Sequence, residues 1–528
     1  MRFHLLGLAP VAAVLIAAAP AAAPTAKLYQ APQAQADRVR ATVEFLADDL
    51  LEGRATGKRG HEVAAVYVAS RFRALGLQPA GDNGTWFQRV PFRRATSDGT
   101  QSFSLTRGGK AETLVAGEDI AVRPSLTEKE RDLSAGLVFV GQGIRDPKLK
   151  IDDYAGLDVR GKIVVVTGGV PAGLPSDIAS HLSSRKVTMA AAAGAIGVLE
   201  IAGGRPMPRP VTDWIDARGN AGSTPAAIRV RGSISRTGAE KLFAGAPQNL
   251  TAIMAANMSR QPVRGFALNG TLNVKANSAW SDFTSPEVIG KLEGSDPKLR
   301  SEHVVLMGHL DHLGLKADAK PGEDNVYNGA LDNAAGVATV LEVADRFVAS
   351  GAKPKRSLLF IANTAEEMGL LGASYWAEHP TVPVQSITAG IDLDMPLPLY
   401  DFTDVTAFGA EHTTIGDTVA KVGRTMGISV GPDPMPEQGI FTRSDHYPLV
   451  LRGIPATLMF TGHANGGKPK WDMFFDKNYH QLSDDLNQAI NWGALARYGE
   501  LNYRIARELG DAPQRAAWKP NDYFAPVR

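Results

Sequence analysis

Apolar residues at Ala64, Val68, Phe72 and Leu75 fall on one helical face and Gly76 follows them, which predicts a helix closed by a glycine cap. Trp86 to Phe92 then reads as a strand. Between about Glu112 and Leu268 the texture changes to short apolar runs, Gly136 to Val140, Lys162 to Thr167 and Ala195 to Ile201, separated by Gly and Pro. This spacing predicts a mostly β module with a helix at Lys186 to Ala193, inserted into the surrounding pattern. From Pro286 onward, strand-like runs at Val304 to Met307, Ser357 to Asn363, Ile387 to Asp394 and Ala456 to Thr461 alternate with helical stretches such as Val337, Val340, Leu341, Ala344 and Phe347. The alternation predicts an α/β fold, a central mixed, mostly parallel sheet sandwiched by helices. In such sheets ligands gather at the carboxyl ends of the strands.

A chain of 528 residues, 44% of them hydrophobic, has length for about three domains and can bury a large core. Its 56 Lys and Arg nearly balance 55 Asp and Glu without a long basic run, so neither nucleic acid nor an acidic membrane is indicated as a partner. The chain has no cysteine, which removes disulfides, thiolate metal sites and thiol nucleophiles. Any metal must be held by His, Asp or Glu. Arg2, the apolar run Leu5 to Ala19 and the small-residue tract Pro20 to Ala23 have the layout of a secretory signal cleaved near Ala21. That run is shorter than the roughly 20 residues of a membrane span. The expectation is a soluble exported protein, periplasmic or secreted, with no membrane contact after signal removal.

Eight of the eleven histidines fall at or after His303, several beside carboxylates just past the predicted strands. In Gly308-His309-Leu310-Asp311-His312, His309 has the setting of a metal ligand whose second ring nitrogen is held by the carboxylate of Asp311, two residues on. Asp332, among the small residues of Gly329 to Gly336, is either a helix N-cap or a carboxylate bridging two metals. Glu366-Glu367 follows a buried strand, where adjacent carboxylates repel unless cations are present; one can ligate while the other acts as a general base. An acidic helix start is the alternative. Asp392 and Asp394 share one strand face, and burial penalises them unless they are paired or coordinated. Tyr479-His480, taken alone, is a structural pair. Together these residues fill two oxygen- and nitrogen-rich sites that suit zinc best among common ions, with manganese or cobalt as alternatives.

In this order the motifs resemble the co-catalytic di-zinc exopeptidase family, which includes bacterial secreted aminopeptidases and glutamate carboxypeptidase-like enzymes. Leu51-Glu52-Gly53-Arg54 and Ser444-Asp445-His446 extend the likeness over nearly the whole mature chain. The module around Asp153-Tyr154, Gly161-Lys162 and Arg185-Lys186 resembles a protease-associated domain. With this resemblance the expected organisation is a signal peptide at 1–21, a first catalytic portion at 27–111, the insertion at 112–268 as a protease-associated domain and the remaining catalytic domain at 269–528. The resemblance implies two zinc ions per chain, one held by His309 and Asp394, the other by Glu367 and His480, with Asp332 bridging. Glu366 would be the general base, Asp311 would orient His309, and the Tyr479 phenol would bind the developing oxyanion. It also implies a cis peptide at Asp332-Asn333. Asp392 stands where the family more often has Asn, and Leu331 where another acidic residue is frequent.

The expected activity is therefore removal of single residues from a peptide substrate, with an aminopeptidase favoured over a carboxypeptidase. A glutaminyl cyclase uses this fold with a single zinc, and non-catalytic binding relatives lose the ligands; the intact donor set favours hydrolysis over both. A serine hydrolase is set aside as a third rival. Gly53 to Lys58 and Gly141 to Gly143 only superficially resemble phosphate-binding loops. His446 is a candidate for the substrate pocket and Arg443 a candidate carboxylate anchor, whereas His303, His379, His412 and His463 read as structural.

Overall fold

The computed structural model describes residues 26–259 and 261–526, so the expected signal segment lies outside the described residues. Across the catalytic part of the sheet the strand order is Ser429–Gly431, Asp404–Phe408, Ala456–Thr461, Ile387–Asp392, His303–His309, Ser357–Asn363 and Phe266–Leu292. The central strand His303–His309 runs parallel to both neighbours, and Ile387–Asp392 runs parallel to Ala456–Thr461. Phe266–Leu292 and Asp404–Phe408 pair antiparallel, which gives the mixed, mostly parallel sheet that the alternating pattern predicts. Every residue of His303–His309, Ser357–Asn363 and Ala456–Thr461 is buried. Burial of both strand faces requires cover on both sides, which is why these strands are continuous apolar runs. Helices Ala335–Ala349 and Trp492–Asp511 pack against each other and against His303–His309, while Leu371–Glu378 packs on Tyr447–Leu451.

Two strands are much longer than their apolar pattern suggests. The run expected at Trp86 to Phe92 belongs to Phe87–Arg107, which pairs antiparallel with Phe266–Leu292 from Val288 back to Thr271, with a register shift between Lys275 and Asn277. Polar residues such as Arg93, Arg94, Ser97 and Asp98 extend the strand through cross-strand pairing, so its polar half carries no apolar signal. The amino half of Phe266–Leu292 also pairs with Glu130–Phe139, and this carries the sheet onward to Ile163–Val166, Gly197–Ile201 and Val230–Ile234. Those strands enclose their own apolar core around Phe103, Phe139, Ile163, Leu199 and Leu242. The helix expected at Lys186 to Ala193 starts earlier and spans Ser176–Ala192. The helix expected before Gly76 is Arg59–Ala74, and Gly76 has φ +73°.

Candidate metal centre

Four chain turns at the carboxyl ends of the parallel strands, and one helix end, bring the expected donors together. His309 closes its strand, Asp332 lies in the turn entering Ala335–Ala349, Glu367 and Asp394 follow the strands ending at Asn363 and Asp392, and His480 follows helix Gly467–Lys477. His309 Nε2 lies 3.1 Å from Asp394 Oδ1 and 3.2 Å from Asp332 Oδ1. His480 Nε2 lies 3.1 Å from Glu367 Oε2 and 3.3 Å from Asp332 Oδ2. The two carboxylate oxygens of Asp332 thus face different imidazoles. One ligand atom each from His309, Asp332 and Glu367 lie within 4.8 Å of one another. The Asp332-Asn333 peptide is cis.

This geometry fits divalent ions. Bonds of about 2.0–2.1 Å in a tetrahedral site place ligand atoms roughly 3.3–3.4 Å apart, close to all four spacings above. The His309–Asp394 approach has hydrogen-bond geometry, yet Asp332 Oδ2 is buried without a hydrogen bond. Donors that stand close but aim past one another suit shared cations. Two imidazoles and three carboxylates without a thiolate suit zinc. Charge points the same way: burial opposes protonation of His480, but Asp332 and Glu367 prevail and raise its pKa to about 10. His309 is likewise raised against burial, by Asp394 and Glu366. Burial also opposes ionisation of Asp332, which His309, His312 and His480 nevertheless hold well below the usual carboxylate range.

Supporting groups fix these donors. His309 Nδ1 lies 3.1 Å from the Asp311 main-chain carbonyl and 4.0 Å from its carboxylate, so the ring donates to the main chain and leaves Nε2 free. This departs from the expected carboxylate orientation. The Asp311 side chain instead accepts the Glu366 and Glu367 amides at 3.2 and 3.4 Å and the Thr56 hydroxyl at 2.9 Å, holding the Glu366-Glu367 turn. Asp484, which no motif singled out, accepts the amide of Asp332 at 2.9 Å and that of Leu331 at 3.1 Å. His312 Nδ1 stands 2.6 Å from Glu367 Oε1, and Asn333 Oδ1 accepts the Gly336 and Met395 amides. The wholly buried Arg54 donates to the carbonyls of Leu310, Asn328 and Gly329, which gives the Leu51 to Arg54 motif a structural role beneath the centre.

The donors open into a pocket of about 430 Å³ lined by Glu366, Tyr479, Arg443 and the apolar Met395, Ile440 and Phe460. Glu366 is pushed well above the usual carboxylate range, first by burial and then by Glu367, Asp394 and Asp445, with His309 opposing. Burial chiefly raises the Tyr479 phenol, whose ring stacks on His480 at 3.9 Å, so it stays protonated and able to donate. His446 is absent from the pocket wall: fully buried, its Nδ1 lies 3.4 Å from Asp392 Oδ2. Asp392 also accepts the Ser444 hydroxyl, which bonds Asp394 as well.

Residues 287–506 match the model of Peptidase family M28. Among curated relatives, "probable leucine aminopeptidase 2" of Aspergillus oryzae is 25% identical over 46% of this chain and 49% of its own length. "Leupeptin-inactivating enzyme 1" of Streptomyces exfoliatus is 32% identical over 41% of this chain and 47% of its own. The chain thus spans about half the length of these relatives. Among solved structures, the aminopeptidase from Aneurinibacillus sp. strain AM-1 is 22% identical over 92% of this chain and 97% of its own, with a TM-score of 0.49. Residues 287–506, the stretch that matches Peptidase family M28, carry all five residues that converge at the centre.

Proposed function

We propose that the chain is an exported zinc exopeptidase of the aminopeptidase type with two zinc ions per chain. The sharing of Asp332 between two imidazole–carboxylate sets that open into one pocket carries this reading. His309 and Asp394 would hold one ion and Glu367 and His480 the other, with Asp332 available to both. When bound, the ions polarise a carbonyl and make water acidic enough to attack near neutral pH. Glu366 accepts the proton of the attacking water and passes it to the leaving amine. Tyr479 donates to the developing oxyanion, and Asp311 keeps His309 oriented through its carbonyl while anchoring the Glu366 turn. The apolar wall of Met395, Ile440 and Phe460 receives a nonpolar terminal side chain. We take 112–268 as the inserted protease-associated domain and 1–21 as the export signal; no helix among the described residues is long and apolar enough to cross a membrane.

Arg443 on the pocket wall supports a second reading, a glutamate carboxypeptidase-like enzyme, because a guanidinium pairs with a terminal carboxylate. Amino-blocked and carboxyl-blocked dipeptides, assayed with and without chelator, separate the two. Cleavage of carboxyl-blocked substrates alone, abolished by chelator, is expected. Cleavage only of amino-blocked substrates replaces the reading with its rival, and chelator-insensitive hydrolysis overturns both.

A further inference from the structure

Strands Ile163–Val166, Gly197–Ile201 and Val230–Ile234 run parallel, with helix Ser176–Ala192 crossing between the first two. Beyond their carboxyl ends lies a crevice of about 620 Å³, where Val166, Glu200 and Ser233 meet Ser183 and Val187 of the helix. Open α/β units place ligands in such a position. Its lining is strongly cationic: Arg123, Lys186, Arg205, Arg209 and Arg231 stand against one acidic side chain, Glu200. Lys186 donates to the Thr167 carbonyl and Arg205 to the Gly117 carbonyl. Among the described residues, the side chains of Arg123, Arg209 and Arg231 take part in no hydrogen bond or ion pair. Burial, then repulsion from Arg123, pulls the Arg231 guanidinium down to about 10 although Asp213 and Glu200 are near. Met207, 57% exposed, adds an apolar contact to the lining.

The same helix packs against the segment that flanks the pocket of the metal centre. In its first turns Ser180 Oγ lies 2.5 Å from Thr442 Oγ1, and His181 Nδ1 lies 2.7 Å from the Tyr447 hydroxyl. Thr442 directly precedes Arg443 and Ser444 of the pocket wall. A rise of 1.5 Å per residue puts Val187 roughly 10 Å along the axis from Ser180. An extended peptide, at about 3.3 Å per residue, covers that axial distance in roughly three residues, to which the residues inside the metal pocket add.

We propose that this crevice is an exosite for acidic side chains of a peptide whose terminal residue occupies the metal pocket. It rests on the exopeptidase reading and adds a preference for carboxylates several residues beyond the scissile bond. The zinc-loaded full chain is given peptides with one common amino-terminal residue, a neutral spacer, and either Asp or Asn at positions five to eight. A chromogenic aminoacyl anilide, too short to reach the crevice, is the control. The Asp peptides are expected to have about tenfold higher kcat/KM, mainly through KM, with the advantage shrinking in salt. Arg123→Gln with Arg209→Gln is expected to remove the advantage and leave the anilide rate unchanged. Equal kcat/KM for the two peptide sets in the unaltered protein overturns the exosite. If neither the peptides nor the anilide are hydrolysed, the exopeptidase reading fails. Fluorescence anisotropy with a labelled Asp peptide then judges the crevice: binding lost in the double variant supports it, and no binding by the unaltered protein overturns it.

Discussion

Asp484 accepts the Leu331 and Asp332 amides and so fixes the one carboxylate on which both donor sets depend. Its replacement by Ala is expected to weaken zinc binding about 10–100-fold, measured by competition with a chromophoric chelator; unchanged affinity would show that Asp332 needs no such support. If the proposed mechanism holds, with Glu366 moving protons and not ligating, Glu366→Ala is expected to keep two zinc ions per chain and lower kcat by roughly 10²–10⁴. Undiminished turnover would remove it from the mechanism. The convergence of His309, Asp332, Glu367, Asp394 and His480 was legible in the sequence because most of them follow an apolar run or open a periodic helix, where His and carboxylates are costly without a purpose. The holder of His309 was misread, because a main-chain acceptor such as the Asp311 carbonyl has no side-chain signature. Asp484 was missed because Ser483-Asp484-Asp485 has the composition of a solvated turn.

Elements whose burial is apolar were the ones the pattern located. Ser357–Asn363 and Ala456–Thr461 match their expected limits, whereas the polar first half of Ser176–Ala192 was overlooked. That half is held by polar contacts, Ser180 to Thr442 and His181 to Tyr447, and by a clamp on His412. His412 Nε2 is 2.6 Å from Asp177 Oδ2 of the helix, and its Nδ1 is 2.7 Å from Asp522 Oδ2 of the carboxyl-terminal segment. Neutral imidazole has one N–H, so bonding both carboxylates requires the cation. Burial disfavours that cation, yet Asp177 and Asp522, with Glu411 nearby, raise the pKa above 6.5. Asp433 also faces Asp177 and Glu411, adding negative charge. The clamp therefore contributes fully below about pH 6.5 and is lost as pH rises through the elevated value. Its acid limit comes from Asp177: burial opposes its ionisation, but His412 prevails and lowers its pKa, so that contribution fades as pH falls through the depressed value. His412→Gln is expected to cost about 2 kcal/mol near pH 6 and progressively less toward pH 9, by denaturant midpoints. A pH-independent difference would exclude protonation as its basis.

Two separate apolar cores, one around the catalytic sheet and one within the strands beyond the ribbon, make a single unfolding transition an unsafe description of the whole molecule. Because all five candidate ligands lie beside the first core, stripping zinc is expected to lower the melting of that core by roughly 5–10 °C, taking about 2.7 kcal/mol at a hundredfold excess over Kd. Hydrogen exchange in Ile163–Val166 should change little. Calorimetry with and without chelator checks this, and an unshifted first transition would argue against metal in the folded state. The two cores are joined by Phe87–Arg107 and Phe266–Leu292, which stay bonded to each other from one to the other with no loop between. Such a joint is a leaf spring, not a pinned door: a load flexes the paired backbones, most easily at the Lys275–Asn277 irregularity. Nearer the catalytic sheet, the Ser285 hydroxyl on the same strand lies 2.7 Å from that of Thr364, two residues before Glu366. That hydroxyl pair ties the joint between the two cores to the turn that carries Glu366.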